Sequence, residues 1–350
     1  MGTAGANRDR LLGRPTRRPA LPPEHLDTER LRLRRWTDAD RAPFAEMNAD
    51  AAVMEFFPAP LDRAGSDAMV DRIQATFERE GWGLWATEER STGAFLGFVG
   101  LNPVPPELPP APAVEIGWRL CRAGWGRGLA TEAAREVLRD AFERVGLDAI
   151  VSFTSEINVR SRGVMRAIGL WHDANGTFEN ERVPEGPLRT HLLHRLDALT
   201  WRCQQLPGLR NAAAKDRAFL ESLHRDAYHE LHVATWGTSD EARFAHHEGA
   251  IWRQGGISIV EDDGRPVGML QLWCGKRRLV VQEIQITSES QNHGLGARLL
   301  NDVAGVAHAA GVDVVLSTGV QNLGAARLYE RLGFAEVGVD ETHRHMRWAC

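Results

Sequence analysis

Two stretches of this 350-residue chain put glycines where a strand should hand over to a helix. They read Trp125-Gly126-Arg127-Gly128-Leu129-Ala130 and Gln291-Asn292-His293-Gly294-Leu295-Gly296. The first N–H groups of a helix have no intrahelical acceptor and lie at the positive end of its dipole. Glycine lets that backbone come close to an anion. Each stretch is therefore a candidate pyrophosphate cradle, with Arg127 and His293 as additional donors. A dinucleotide fingerprint would need G-x-G-x-x-G and a triphosphate loop would need G-K-[ST]; neither stretch has them. Upstream of each turn a glutamate stands mid-strand, Glu115 in Val-Glu-Ile and Glu283 in Gln-Glu-Ile. Side chains alternate across a strand, so each glutamate points away from the face its immediate neighbours use. It is either a carboxylate held over a site or an outward, solvated one.

The elements that must position these residues occur twice. Gly128, Gly146, Asn158 and Gly169 match Gly294, Gly311, Asn322 and Gly333 at offsets of 166, 165, 164 and 164 residues. Each asparagine precedes its matched glycine by eleven residues. A fixed order of features at nearly constant offset indicates two copies of one fold. In the first copy the patterns predict strands over 95–101, 113–120 and 149–154, a helix with Ala130 to Phe142 on one face that Gly146 ends, and a second helix over about 160–168. In the second they predict strands over 257–261, 267–273, 279–286 and 312–317, a helix after the glycine turn that carries Leu299, Leu300, Val303, Ala304 and Ala307 inward, and a helix over 325–332. Asp262–Gly264 marks a hairpin turn. Six prolines within 103–112 cannot continue a ladder and predict a stiff loop between strands.

Both copies resemble the GNAT N-acetyltransferase superfamily, whose cofactor loop follows [Gln/Arg]-x-x-Gly-x-[Gly/Ala]. Gln291, Gly294 and Gly296 match it; in the first copy Gly128 and Ala130 fit, and Trp125 replaces the polar first residue. Trp-Gly-Arg-Gly-Leu-Ala-Thr-Glu-Ala is similar to the RimJ/RimL-like branch, as is Arg30-Leu31-Arg32-Leu33-Arg34 ahead of Asp38–Asp40. The resemblance implies tandem α/β (α+β) domains, each a mixed, mostly antiparallel sheet flanked by helices. It implies acyl transfer from acetyl-CoA to a primary amine, a small molecule or a protein N-terminus. It also implies that Asn322, and Asn158 with Ser161, contact the pantetheine arm. Tyr329 then faces the cofactor sulfur, where the first copy has Met165. A capped helix ended by Gly333 explains the leucines of that motif, but not the recurrence of the asparagine. The reaction needs a base for the ammonium proton, and Glu115 and Glu283 stand where relatives keep one. Two other readings remain open: a non-catalytic acyl-CoA sensor, and a first copy that serves only as a structural pseudo-dimer partner.

The division expected is a disordered tail over 1–25, domains over 26–197 and 205–350, and a linker over 198–204. The tail holds five arginines and four prolines. A net charge of -5 gives no basic field for nucleic acid. The four cysteines form no CxxC pair, which fits a reducing cytoplasm and no metal site. His246-His247-Glu248 and His343-Arg344-His345 read as surface residues rather than metal ligands. Trp236 and Trp273 read as core, with an amine pocket as the alternative. No apolar run suggests a membrane span. A monomer with an internal pseudo-dimer and a homodimer both fit.

Overall fold

The computed structural model describes residues 23–236, 241–275 and 278–350, with the side chains of 228–245 set aside. The disordered-tail reading lies outside the described residues as far as residue 22. The chain divides into two compact units. Of the described residues, unit one comprises those up to Ile168 and Asp173–Arg195; unit two comprises Gly169–His172 and those from Leu196 to Cys350.

Unit one runs β1 (His25–Asp27), β2 (Leu31–Arg34), α1 (Arg41–Ala49), α2 (Arg63–Glu80), β3 (Leu84–Glu89), β4 (Phe95–Pro103), β5 (Val114–Leu120), α3 (Leu129–Asp140), β6 (Ala149–Ser155), α4 (Val159–Ala167), β7 (Trp171–Glu179) and β8 (Thr190–Asp197). Its sheet is ordered β1-β2-β3-β4-β5-β6-β8-β7. Strands β1 to β5 are antiparallel neighbours, and β5 and β6 are parallel. In α3, Leu129, Ala133, Ala134, Val137 and Leu138 are buried, the spacing of one helical face. The helix goes on through a π-type turn, Ala141–Val145, and stops at Gly146 with φ 75°. The prolines from Pro105 to Pro112 form the connection between β4 and β5, folded by turns at Leu108 and Ala111, but Pro103 is still in the ladder, opposite Val114, and the Val104 N–H bonds Ala113 O beyond it.

Unit two runs α5 (Ala198–Gln204), β9 (Leu209–Asn211), α6 (Arg217–Trp236), α7 (Glu241–Gln254), β10 (Ile257–Asp262), β11 (Arg265–Cys274), β12 (Arg278–Ile286), α8 (Leu295–Ala309), β13 (Asp313–Gly319), α9 (Leu323–Arg331), β14 (Ala335–Val339) and β15 (His343–Trp348). Its sheet order is β14-β15-β13-β12-β11-β10-β9, with β12 and β13 the parallel pair. Residues 198–204, expected as a linker, are instead the helix α5. Asp197 caps it by accepting from the Thr200 N–H at 2.8 Å. Leu199 and Cys203 then enter the core formed with Leu272, Leu299 and Val303. The chain breaks only afterwards, at Leu206–Gly208.

The internal repeat reaches further than the glycines and asparagines. Strands β2 to β8 follow the same sheet order as β9 to β15. An ion network recurs with it. Arg34 pairs through both Nη atoms with Asp40 and through Nε with Glu88; Arg210 does the same with Asp216 and Glu261. In each unit the aspartate also accepts from a backbone N–H three residues earlier, at Thr37 or Ala213. Each network fastens the second strand or its equivalent to the start of the first long helix, and a bidentate arginine suits that job geometrically.

Candidate active site

In both units the two parallel strands part. Strand β5 pairs with β6 only at Glu115 opposite Val151. Strands β12 and β13 pair from Arg278 opposite Asp313 to Val281 opposite Leu316 and no further. Beyond these points the two strands form no further ladder pairs among the described residues, Ile116 O in unit one accepts from Ser152 Oγ at 2.9 Å, and the carboxyl end of β5 or β12 runs into the glycine turn. The turns have one backbone conformation. Gly126 and Gly128 have φ 69° and 75°, and Asn292 and Gly294 have φ 63° and 77°. These are left-handed values, and asparagine is one of the few other residues that tolerates them. Neither α3 nor α8 receives a side-chain cap, so the N–H groups of the first turn remain without side-chain acceptors. A Cβ added at Gly126, Gly294 or Gly296 would meet nothing within 4 Å. An anion has room and donors there, which suits a phosphate group.

The two first residues of the loops turn out to be equivalent. The Trp125 indole N–H donates to Leu120 O at 2.8 Å, and the Gln291 amide donates to Ile286 O at 2.9 Å. Both acceptors lie five residues upstream, at the end of the preceding strand. The tryptophan thus replaces the glutamine bond for bond, and both side chains close the loop instead of pointing a donor outward. Arg127 is likewise engaged: its guanidinium pairs with Glu89 and reaches Ala123 O at 3.3 Å. His293 is exposed, Leu129 is buried, and Leu295 and Ala130 are half-buried.

The asparagines are helix caps. Asn158 Oδ1 accepts from the Ser161 N–H and Asn322 Oδ1 from the Ala325 N–H, both at 3.1 Å. Capping therefore accounts for the recurrence at one spacing. Asn158 Nδ2 donates to Thr154 Oγ1. Val159 and Leu323, the next residue in each copy, are 68 % and 55 % exposed, apolar surface beside the parted strands. Asn322→Ala is expected to cost unit two about 1 kcal/mol of stability, read as a lowered denaturation midpoint by urea titration.

Glu115 lies on the face of β5 that α1 and α2 cover. Arg119, four residues on, shares that face by alternation, and its Nη1 donates to Asn48 Oδ1 at 2.6 Å. Asn48 is fully buried and donates in turn to Ser66 Oγ. Burial pushes the Glu115 carboxyl up to about 8, with no cation near enough to oppose it. Such a group can take and release a proton near neutral pH.

Unit two builds a different cluster. Gln271 faces Glu283 and Leu272 faces Val281, so Gln282 is an extra residue that bulges β12. The bulge reverses the alternation. Before it, Leu279 and Val281 enter the core against α8; after it, Ile284 and Ile286 do. Glu283 and Gln285 are thereby turned to the opposite face, toward α6 and α7. Gln285 Nε2 donates to His224 Nδ1 at 3.0 Å and to Glu283 Oε2 at 3.3 Å. His247 Nε2 stands 3.6 Å from Glu283 Oε1, and the His224 and His247 rings are 4.9 Å apart. Tyr329 is 8 % exposed, and burial, with the charge of Glu283 adding to it, pushes its phenol up to about 12. The residue matching it, Met165, is buried in the core of unit one.

One surface reading needs correction here: Glu248 is buried. His246 and His247 are both exposed, and His247 also stands beside Glu283. His345 bridges Ser317 and Asp340 on the surface. Among the described residues no group of three or more His, Cys, Asp or Glu is placed to hold a metal, and no helix is long and apolar enough to cross a membrane. Trp273 is half-buried against Trp171, and the side chain of Trp236 lies outside the described residues. Arg119, Asn48, His224 and Gln285 are not singled out by the sequence. The only signal for Arg119 and Gln285 is strand alternation from the two glutamates.

Residues 30–170 match the acetyltransferase (GNAT) domain, and residues 218–334 match the acetyltransferase (GNAT) family. An uncharacterised Bacillus subtilis protein, YkkB, is 32 % identical over 146 residues, covering 41 % of this chain and 84 % of its own. The chain belongs to the GNAT family and carries two of its domains in tandem. The Aspergillus fumigatus FsC-acetyl coenzyme A-N(2)-transacetylase is 32 % identical over 133 residues, which is 37 % of this chain and 56 % of that enzyme. The chain thus spans just over half the length of that relative. A crystal structure of an Agrobacterium tumefaciens acetyltransferase is 28 % identical, covers 51 % of this chain and 96 % of its own, and superposes with a TM-score of 0.42.

Proposed function

We propose that the protein is an N-acetyltransferase that takes its acetyl group from acetyl-CoA, with a cofactor site in each unit and a primary amine as acceptor. The observation that carries this reading is the coincidence, twice over, of parted parallel strands with an uncapped helix N-terminus behind a left-handed glycine turn. In this reading the N–H groups at 126–130 and 292–296 hold the pyrophosphate, and the gap between the parted strands beyond Glu115 and Val281 receives the arm. The apolar surface at Val159 and Leu323 borders it, with Asn158, Ser161 and Asn322 at the helix start. Acetyl-CoA supplies an activated acyl carbon and a thiol leaving group. Glu115 in unit one and Glu283 in unit two receive the ammonium proton, directly or through water. Tyr329 keeps its proton and offers it to the departing sulfur. A small molecule or a protein N-terminus in the cytoplasm is the acceptor class. Support comes from the match of both units to acetyltransferase models of one family, and from the fungal relative, whose name includes acetyl coenzyme A.

Calorimetric titration with acetyl-CoA tests the reading. Gly128→Asp and Gly294→Asp each put a carboxylate against a pyrophosphate at a left-handed position. Two sites are expected in the native protein, one in each variant and none in the double variant. Unchanged affinity in the double variant would show that the cradles lie elsewhere.

A further inference from the structure

Arg119 is a buried cation without an anion. It is 9 % exposed, and among the described residues no carboxylate pairs with it. Its Nη1 donates to Asn48, while its buried Nε has no hydrogen-bond partner. The guanidinium carbon lies 4.0 Å from the centre of the Phe57 ring and 5.5 Å from that of Phe98, faces that attract a cation without neutralising it. Burial lowers its pKa to about 10, the direction expected when a cation is desolvated and uncompensated. A buried charge normally acquires a partner, because leaving it unpaired is expensive. The other arginines on strands of this sheet, Arg32, Arg34 and Arg195 among them, each have one.

The partner's place is visible along the strand. Glu115, Gly117 and Arg119 occupy one face of β5, with no register shift against β4. A Cβ added at Gly117 would meet nothing within 4 Å, so the space between carboxyl and guanidinium is open. A molecule lying over Gly117 meets a proton acceptor at one end and an anion receptor at the other. Four residues of strand span about 13 Å. Two charge-assisted hydrogen bonds of about 2.8 Å each take up part of that, leaving roughly 7 Å between amine nitrogen and anion.

We propose that Arg119 is an anion subsite for the acceptor, so that unit one takes a small amine whose carboxylate lies several bonds from the nitrogen. The proposal rests on the reading of unit one as an acetyltransferase and names its acceptor class. An α-amino acid is too short to reach both groups, and a simple alkylamine leaves the cation unmet.

The test compares 6-aminohexanoate with its carboxamide, and glycine with 4-aminobutyrate and 6-aminohexanoate, by thiol release from acetyl-CoA. The native protein is expected to show a KM for 6-aminohexanoate about 10- to 100-fold below that of the amide, the range of a hydrogen-bonded charge, with kcat similar. The advantage should grow from glycine to 6-aminohexanoate. Arg119→Gln should remove the difference between acid and amide, and Arg119→Lys should restore part of it. Equal KM values for acid and amide in the native protein, a comparison that needs no variant to fold, would overturn the proposal. So would a difference that survives Arg119→Gln. Failure to acetylate any amine would instead count against the transferase reading. In that case calorimetric titration of the coenzyme-A-loaded protein with 6-aminohexanoate and its amide still decides the subsite, and equal affinities overturn it.

Discussion

Tyr329→Phe is expected to lower kcat of unit two by about 10²-fold, with acetyl-CoA affinity unchanged. The ring is held in the core with Leu316 and Phe334, and phenylalanine keeps that packing. Among the described residues the phenol oxygen meets no hydrogen-bond partner, so its removal orphans nothing. Stability should therefore stay level, and a fall in rate would report chemistry. With its pKa pushed up to about 12, the phenol stays protonated through the working range and can donate to a departing sulfur. General-acid help spans about 10²–10⁴-fold; the low end is expected because a thiol of pKa ~8.5 already leaves readily. The measurement is steady-state kinetics in a Gly128→Asp background, which silences unit one. If Tyr329→Phe alone keeps full kcat in the otherwise native protein while Gly128→Asp alone abolishes turnover, the principal active site belongs to unit one.

What is legible in the sequence is what depends on backbone. The strands, the glycine turns and the repeated order follow from apolar period and from left-handed positions, and these are local properties. Glycine at 128 and 294 announces a φ that few residues accept. The asparagines are legible as recurrent but not as caps, because an N-cap is defined by where the helix begins, and boundaries are the least certain feature of a pattern. Side-chain partnerships across distance are not legible. Trp125 and Gln291 look unlike each other, yet both reach a carbonyl five residues back. No propensity rule converts an indole into an amide; only the shared loop geometry does. His247 reads as surface and is exposed, but its place beside Glu283 is not legible. The bulge at Gln282 is what brings Glu283 under it, and one inserted residue leaves almost no trace in an alternating pattern. The helix over 198–204 escapes a sequence reading for a related reason. Its buried Leu199 and Cys203 serve a core assembled from residues far downstream, from Val260 to Met346.

Glu115→Gln is expected to lower kcat/KM of unit one by about 10²–10⁴-fold, the range of a general base, and to change how both rate and stability depend on pH. The carboxyl must be ionised to take a proton, and burial holds its pKa at about 8. With a weakly basic acceptor amine, of pKa below about 7, the acceptor is already unprotonated and the enzyme's own limb is exposed. Native kcat/KM should then rise with pH and level off above about 8, while the glutamine variant should be flat. Stability should move in the opposite sense. A carboxyl whose folded pKa is raised binds its proton more tightly in the native state than in the unfolded chain, where it titrates near 4.5. Its contribution is therefore complete below that value and is lost as pH rises toward about 8. Glu115→Gln, neutral at every pH, should remove this loss, so the variant should melt higher than the native protein at pH above about 8 and nearly together with it in mild acid. A group kept poised at the expense of stability is a familiar trade. The Gly294→Asp background confines the rate measurement to unit one, and thermal melts across pH give the second reading. A native pH–rate profile in Glu115→Gln would remove this residue from the chemistry. Identical melting curves for the two proteins across pH would show that the carboxylate is solvated and that nothing in the fold holds it poised.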